Sequence, residues 1–243
     1  MSYFTSSSIY ESMEQARQHL EQLHAGLHAR MQVQNLDLHI YRDRGQKIVT
    51  GGSTTTRDEH NALALQYARS KTEARRIERL MGLGIEAAST PVQVRRHPTI
   101  EIRLTPTAFC IELVLSPEAW WDQQNLMGKL NVQRHRESFY AMLRRLDPRY
   151  RQGFWQGTDL SDMHIASTVS HNDHVLREWF NTFEPRQDYF RLGIWYADDD
   201  AALQGDAIHD EIMQQIKTLY RFYGFLLWTS DNNYRDFAPP ALT

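Results

Sequence analysis

Six residues between positions 159 and 174 form the densest set of possible metal ligands in this sequence. They are Asp159, Asp162, His164, His171, Asp173 and His174. Imidazole and carboxylate together suit Zn²⁺ or another divalent ion, and a hydrolytic site would leave one coordination position open for water. The spacing does not match a zinc pattern, because His171-Asn-Asp-His174 lacks the glutamate and the i, i+4 histidines of H-E-x-x-H. Asn172 or Asp173 also suits a helix N-cap, which is the plainer use of either residue. A metal-assisted hydrolase built on Asp162, His164, His171 and His174 is therefore carried as the alternative reading.

Arginine offers a second chemistry. Arg69, Arg75, Arg76, Arg95, Arg96 and Arg103 make one basic series, and Arg136 belongs to a second that runs from Lys129 to Arg151. Guanidinium groups bind phosphates through paired N–H donors, and Trp120 and Trp121 offer faces on which bases stack. Glu73 and Glu78 stand among the first series, and helix arginines commonly pair with acids three or four residues away. No helix-turn-helix, zinc-finger or RNP signature accompanies either series. The leading expectation is a non-catalytic cytoplasmic module that engages a nucleic acid, another phosphoanion or a protein partner through this Arg-rich face.

A third set lies on neighbouring strands. Glu101, Arg103 and Glu112 should project from one face of a sheet, giving two carboxylates beside a guanidinium. Metal-dependent nucleases place acids this way, but the lysine usual in such a signature is missing. An exposed cross-strand charge ladder is the expectation. Cys110 lies in the apolar run Phe109–Leu115 and reads as a small buried thiol. Gly51-Gly52 and Gly82-Leu-Gly84 fit neither dinucleotide nor P-loop spacing, and no G-x-S-x-G elbow occurs. The sequence names no cofactor.

Elements that could position these groups follow from periodicity. Ser8 and Glu11 have capping-box spacing, and Ile9, Met13, Ala16, Leu20, Leu23 and Leu27 form one apolar helical stripe. Leu36, Leu38 and Ile40 alternate as a strand, Asp43–Thr56 reads as a loop, and Leu63, Leu65 and Tyr67 alternate again. Ser70 and Glu73 predict a second capped helix, stopped by Gly82. Val92–Val94, Ile100–Leu104 and Phe109–Leu115 then read as an antiparallel meander broken by Pro98 and Pro106.

Later in the chain, Ser116-Pro117 predicts a helix start, and a helix bearing Phe139, Met142, Leu143 and Leu146 ends at Asp147-Pro148. Tyr150–Gln156 and Tyr189–Tyr196 read as strands, with a short helix from about His174 between them. Asp206 should cap a last helix closed by Gly224. The strand-then-helix pattern after Phe109 recurs after Tyr189, which suggests a pseudo-duplicated β-to-α arrangement. The expected class is α+β: an antiparallel or mixed sheet with helices packed mainly on one face, a single domain over residues 1–243 with a loose tail from about 236.

Composition sets the outer bounds. The chain has 243 residues, 41% hydrophobic and 23% charged, with 6 Trp, 11 Tyr and 10 Phe, enough to bury a full core. A polar and then amphipathic N-terminus predicts no signal peptide, and no apolar run approaches the roughly 18 residues of a membrane span. One cysteine cannot close an internal disulfide, so a reducing cytoplasm is the expected setting. The net charge of −3 divides unevenly, with 21 Lys+Arg against 16 Asp+Glu through residue 152 and 6 against 14 thereafter. Such a division fits a polyanion-binding face or two parts that attract each other, and the second fits better.

Overall fold

A computed structural model of the chain describes residues 13–43, 45–55, 62–83, 91–197, 199–205 and 207–236, the side chains of Met13, Ser170, His171 and Asp236 excepted. The Ser8–Glu11 capping box, the Asp206 cap and the tail beyond 236 lie outside these residues. Six α-helices are present among them: α1 Met13–Val33, α2 Lys71–Glu78, α3 Trp120–Leu130, α4 Gln133–Leu143, α5 Asp173–Asn181 and α6 Ala207–Leu226. Eight strands make one sheet: β1 His39–Ile40, β2 Val49–Gly51, β3 Leu63–Ala68, β4 Thr99–Leu104, β5 Phe109–Leu115, β6 Arg151–Gly153, β7 His164–Ala166 and β8 Phe190–Tyr196.

The strands run in the order β1-β3-β4-β5-β8-β6-β7, with β2 also on the free edge of β3, and each pairing is antiparallel. Strict alternation explains the buried face. Leu63, Leu65 and Tyr67 of β3 point to one side with Ile100 and Ile102 of β4, Ile111 and Leu113 of β5, and Leu192 and Ile194 of β8. α1 and α6 lie on this face and on each other. The α1 stripe Ala16, Leu20, Leu23, Leu27 and Met31 is buried as its spacing predicts. Phe139 of α4 closes the core against Phe180, Phe190, Phe222 and Phe225. Among the described residues no helix is long and apolar enough to cross a membrane.

Several local expectations change. Val92–Val94 is not a strand, since Val94–Arg96 forms a 3-10 turn, so the meander is β3-β4-β5. Residues 43–56, read as loop, contain β2, while the Leu36–Ile40 strand shrinks to two residues and Tyr150–Gln156 to three. Ser116 does not cap α3, because its hydroxyl donates to the Arg95 carbonyl and accepts from the Glu118 N–H. That helix starts later, after Ala119. Gly224 does not close α6, which runs on to Leu226. Gly82 does end the α2 region, at φ +86°.

Both β-to-α units form, and their strands β5 and β8 pair along all seven residues. Ion pairs also join the basic and acidic parts of the chain: Arg30 with Asp210, Arg144 with Asp173, and Arg149 with Glu211.

Candidate functional site

The set Glu101, Arg103 and Glu112 is not an exposed ladder. All three side chains are 0% exposed, and Arg191 of β8 joins them equally buried. The register explains the gathering: Gln66, Glu101, Glu112 and Gly193 stand opposite one another across β3, β4, β5 and β8. Gly193 leaves the room Glu112 needs, since a Cβ there would lie 2.5 Å from the Glu112 Cβ.

Arg103 donates through Nη1 to Glu101 at 2.8 Å and to Glu112, and through Nη2 to the Thr158 carbonyl at 2.7 Å. Arg191 grips both oxygens of Glu112 at 2.8 and 2.9 Å and reaches the Gly157 carbonyl at 2.7 Å. Its guanidinium lies over Trp155, 4.2 Å from the ring centroid. Glu101 accepts from the Ser53 and Thr54 hydroxyls, the Thr54 N–H and Gln66. Burial alone would raise the Glu101 carboxyl, but Arg103 and these donors outweigh it and hold it below the usual range.

Two carboxylates and two guanidinium groups balance, so the quartet is neutral. It ties residues 53–55 and 157–158 across the second face of the sheet. With no exposed acid, it is a structural staple rather than a place where substrate meets a base. Burial pushes the neighbouring Cys110 thiol far up, so it stays protonated and inert, as its apolar run suggests.

The His/Asp stretch does not converge in the described part. Asp162 and His174 are exposed, Asp173 pairs with Arg144, and the His164 ring faces the Ser161 carbonyl. Among the described residues no three His, Cys, Asp or Glu side chains gather to hold a metal ion. The His171 side chain lies outside them. Asn172, one of the two caps considered, accepts from the His174 and Val175 N–H groups at the start of α5.

The basic series is largely paired within the fold. Arg103 is spent in the quartet. Arg69 is 6% exposed and bonded to Asp122 at 2.6 Å. Arg95 donates to the Ser53 carbonyl, Arg96 stands 3.8 Å from Glu78, and Arg136 donates to the Leu130 carbonyl. Arg76 is exposed and 3.4 Å from Glu73, while Arg75 is half-buried. Most of those arginines are thus engaged by partners of their own.

Trp120 and Trp121 do line a site. A cleft of about 500 Å³ is bounded by Trp120, Trp121 and Gln124 of α3, Arg186, Trp228, and Asn233 to Arg235. Trp121 and Trp228 meet edge to face at 4.5 Å, and the Arg186 guanidinium lies 4.5 Å over the Trp120 ring. Polar side chains of α3 hold the far segment in place. Asp122 accepts from the Trp228 N–H at 2.7 Å. Asn125 donates to the Leu226 and Asn232 carbonyls and accepts from the Tyr234 N–H. Gly128 allows the Tyr234 ring to close in, since a Cβ there would lie 2.3 Å from it. Among the described residues no acidic side chain lines this cleft.

Arg186, Trp228, Tyr234 and Arg235 were not among the sequence candidates. A local signal for Trp228 is the apolar run Phe225–Trp228, which begins in the last turn of α6 and leaves it at Leu227. No family model matches this chain, and no curated protein matches it either.

Proposed function

We propose that this chain is a binding module for single-stranded nucleic acid, with bases stacking in the tryptophan cleft and phosphates meeting Arg186 and Arg235. The observation that carries this reading is the cleft itself, in which three indole rings and a phenol stand with two arginines and no described acidic side chain. Stacking is tolerant of sequence because each base has a π face, and arginine neutralises the backbone beside it. Arg186 is exposed, and its side chain rests on Trp120 through a cation–π contact. A base can take its place on the ring while the guanidinium swings to a phosphate. The single cysteine, buried and reduced, suits a cytoplasmic setting.

Fluorescence titration with single-stranded and duplex oligonucleotides at two salt concentrations tests the proposal. Single strands should quench the tryptophans, with an affinity that falls with salt by a log–log slope of about −0.7 per phosphate neutralised. Trp120→Ala should weaken binding roughly 5- to 150-fold. Arg186→Ala should remove one unit of that slope. Quenching without a salt slope, or binding unchanged by Trp120→Ala, overturns the reading.

A further inference from the structure

A second cleft, of about 750 Å³, opens between the start of α2, the β1 edge and the segment from Pro91 to His97. That volume suits a small molecule. Ile40, Ala74, Val92 and Val94 give it an apolar wall, and Arg42 and Lys71 stand exposed at its rim. Arg69 and His97 also line it, and both are buried.

Their unmet hydrogen bonds are what point to a ligand. His97 is 1% exposed, and neither ring nitrogen has a hydrogen-bond partner; Nε2 lies 3.7 Å from Glu78, beyond bonding distance. Arg69 gives Nη1 to the Trp228 carbonyl and Nη2 to Asp122, but its Nε–H is unmet. Folded chains leave few buried polar atoms unpaired, so two such side chains in the walls of one cleft call for an acceptor.

Charge says which kind. Asp122 already balances Arg69, and Glu78 beside His97 is balanced by Arg96 at 3.8 Å, which leaves Lys71 and Arg42 against Asp43, whose carboxylate accepts from the Lys47 N–H. Among the described residues Lys71 has no hydrogen-bond or ion-pair partner, and it sits in the first turn of α2. The positive end of that helix dipole adds to its charge.

We propose that this cleft binds a small organic anion, a phosphate or carboxylate head on an apolar body. The head accepts from Arg69 Nε and the His97 ring, Lys71 supplies the opposing charge, and the body lies along Val92, Val94 and Ala74. This site is separate from the tryptophan cleft and does not rest on the reading given for it.

Calorimetric titration of the full chain with octanoate, octyl phosphate, inorganic phosphate and octylammonium tests it. Ring ¹⁵N shifts of His97 are followed by NMR in parallel. One equivalent of octanoate or octyl phosphate should bind and move the His97 resonances, and the tighter of the two identifies the head group. Inorganic phosphate, lacking the body, should bind at least tenfold more weakly. Lys71→Gln with Arg42→Gln, both at exposed positions, should weaken the organic anion at least tenfold. Trp120→Ala should leave this binding unchanged, which separates failure here from failure of the nucleic-acid reading. Equal binding of octylammonium, or no binding by about 10 mM, overturns the proposal.

Discussion

Replacing Glu112 by glutamine removes one charge from the quartet and keeps its shape. The glutamate carboxylate accepts from Arg103 and from two nitrogens of Arg191, all at full burial. An amide in its place turns an NH₂ group toward guanidinium donors and leaves a net positive charge inside. Breaking a buried ion pair from one side costs about 3–5 kcal/mol. In a chain of this size each kcal/mol moves the melting point by about 2 °C, so Glu112→Gln should melt about 6–10 °C lower.

Urea unfolding followed by tryptophan fluorescence gives the same quantity as a midpoint shift, valid if the slope m is unchanged. Asp147→Asn is the control. It breaks an exposed pair with Arg149 at 3.2 Å and should cost less than about 1 kcal/mol. A second variant separates charge from contact. Glu112→Leu combined with Arg191→Met removes one carboxylate and one guanidinium, leaving Arg103 matched to Glu101. It should recover part of the loss, although each single change is worse. The reasoning is refuted if Glu112→Gln costs no more than the surface control, or if the double variant is as unstable as the two singles added.

Glycine offers a paired comparison. In Gly193→Ala the new Cβ would meet the Glu112 Cβ at 2.5 Å and the Ile111 carbonyl at 2.6 Å, so β5 and β8 must part and the melting point should fall by an amount equivalent to about 1–3 kcal/mol. Gly224→Ala, in α6 with nothing within 4 Å, should instead gain about 1 kcal/mol. A pH series checks His97, whose pKa is pushed down by burial more than Glu78 raises it. The unfolded chain then takes up the proton first, so this contribution to stability is complete above about pH 6.5 and is lost as pH falls through the folded value. Urea midpoints should drop between pH 7.5 and 5.5, and His97→Asn should flatten that drop. Glu78 and Glu101, both held below the usual carboxylate range, act only at lower pH.

Alternation made β3, β4, β5 and β8 legible, because a period of two with apolar residues on one face has one economical fold. It could not show what covers the other face. Glu101, Arg103 and Glu112 were correctly placed on one side, but polar residues in alternation read as solvated. Their burial depends on Arg191, 79 residues beyond Glu112, and on two loops without periodicity. Val92 and Val94 mimic a strand, but Pro91 and Pro98 flank a segment too short to pair, and it turns as a 3-10 helix instead. The tryptophan cleft was half legible. The pair Trp120-Trp121 stands out in sequence, whereas Trp228 and Tyr234 arrive through bonds spanning 106 and 109 residues.

An ion pair links a residue of one cleft to a residue of the other. Arg69 lines the anion cleft while its guanidinium donates to Asp122 and to the Trp228 carbonyl. The same oxygen of Asp122 accepts the Trp228 N–H. Trp228 and Trp121, the residue before Asp122, line the aromatic cleft. Three hydrogen bonds, one buried and two part-buried, and two of them to a charged acceptor, thus fix where the backbone of one tryptophan of the cleft stands. Aromatic contact alone would let Trp228 turn against Trp121, since offset and edge-on arrangements differ little in energy. Anchoring the backbone on both its N–H and its carbonyl fixes the point from which the indole projects before a ligand arrives. The backbone share of the ordering cost is then met during folding, and binding does not have to supply it.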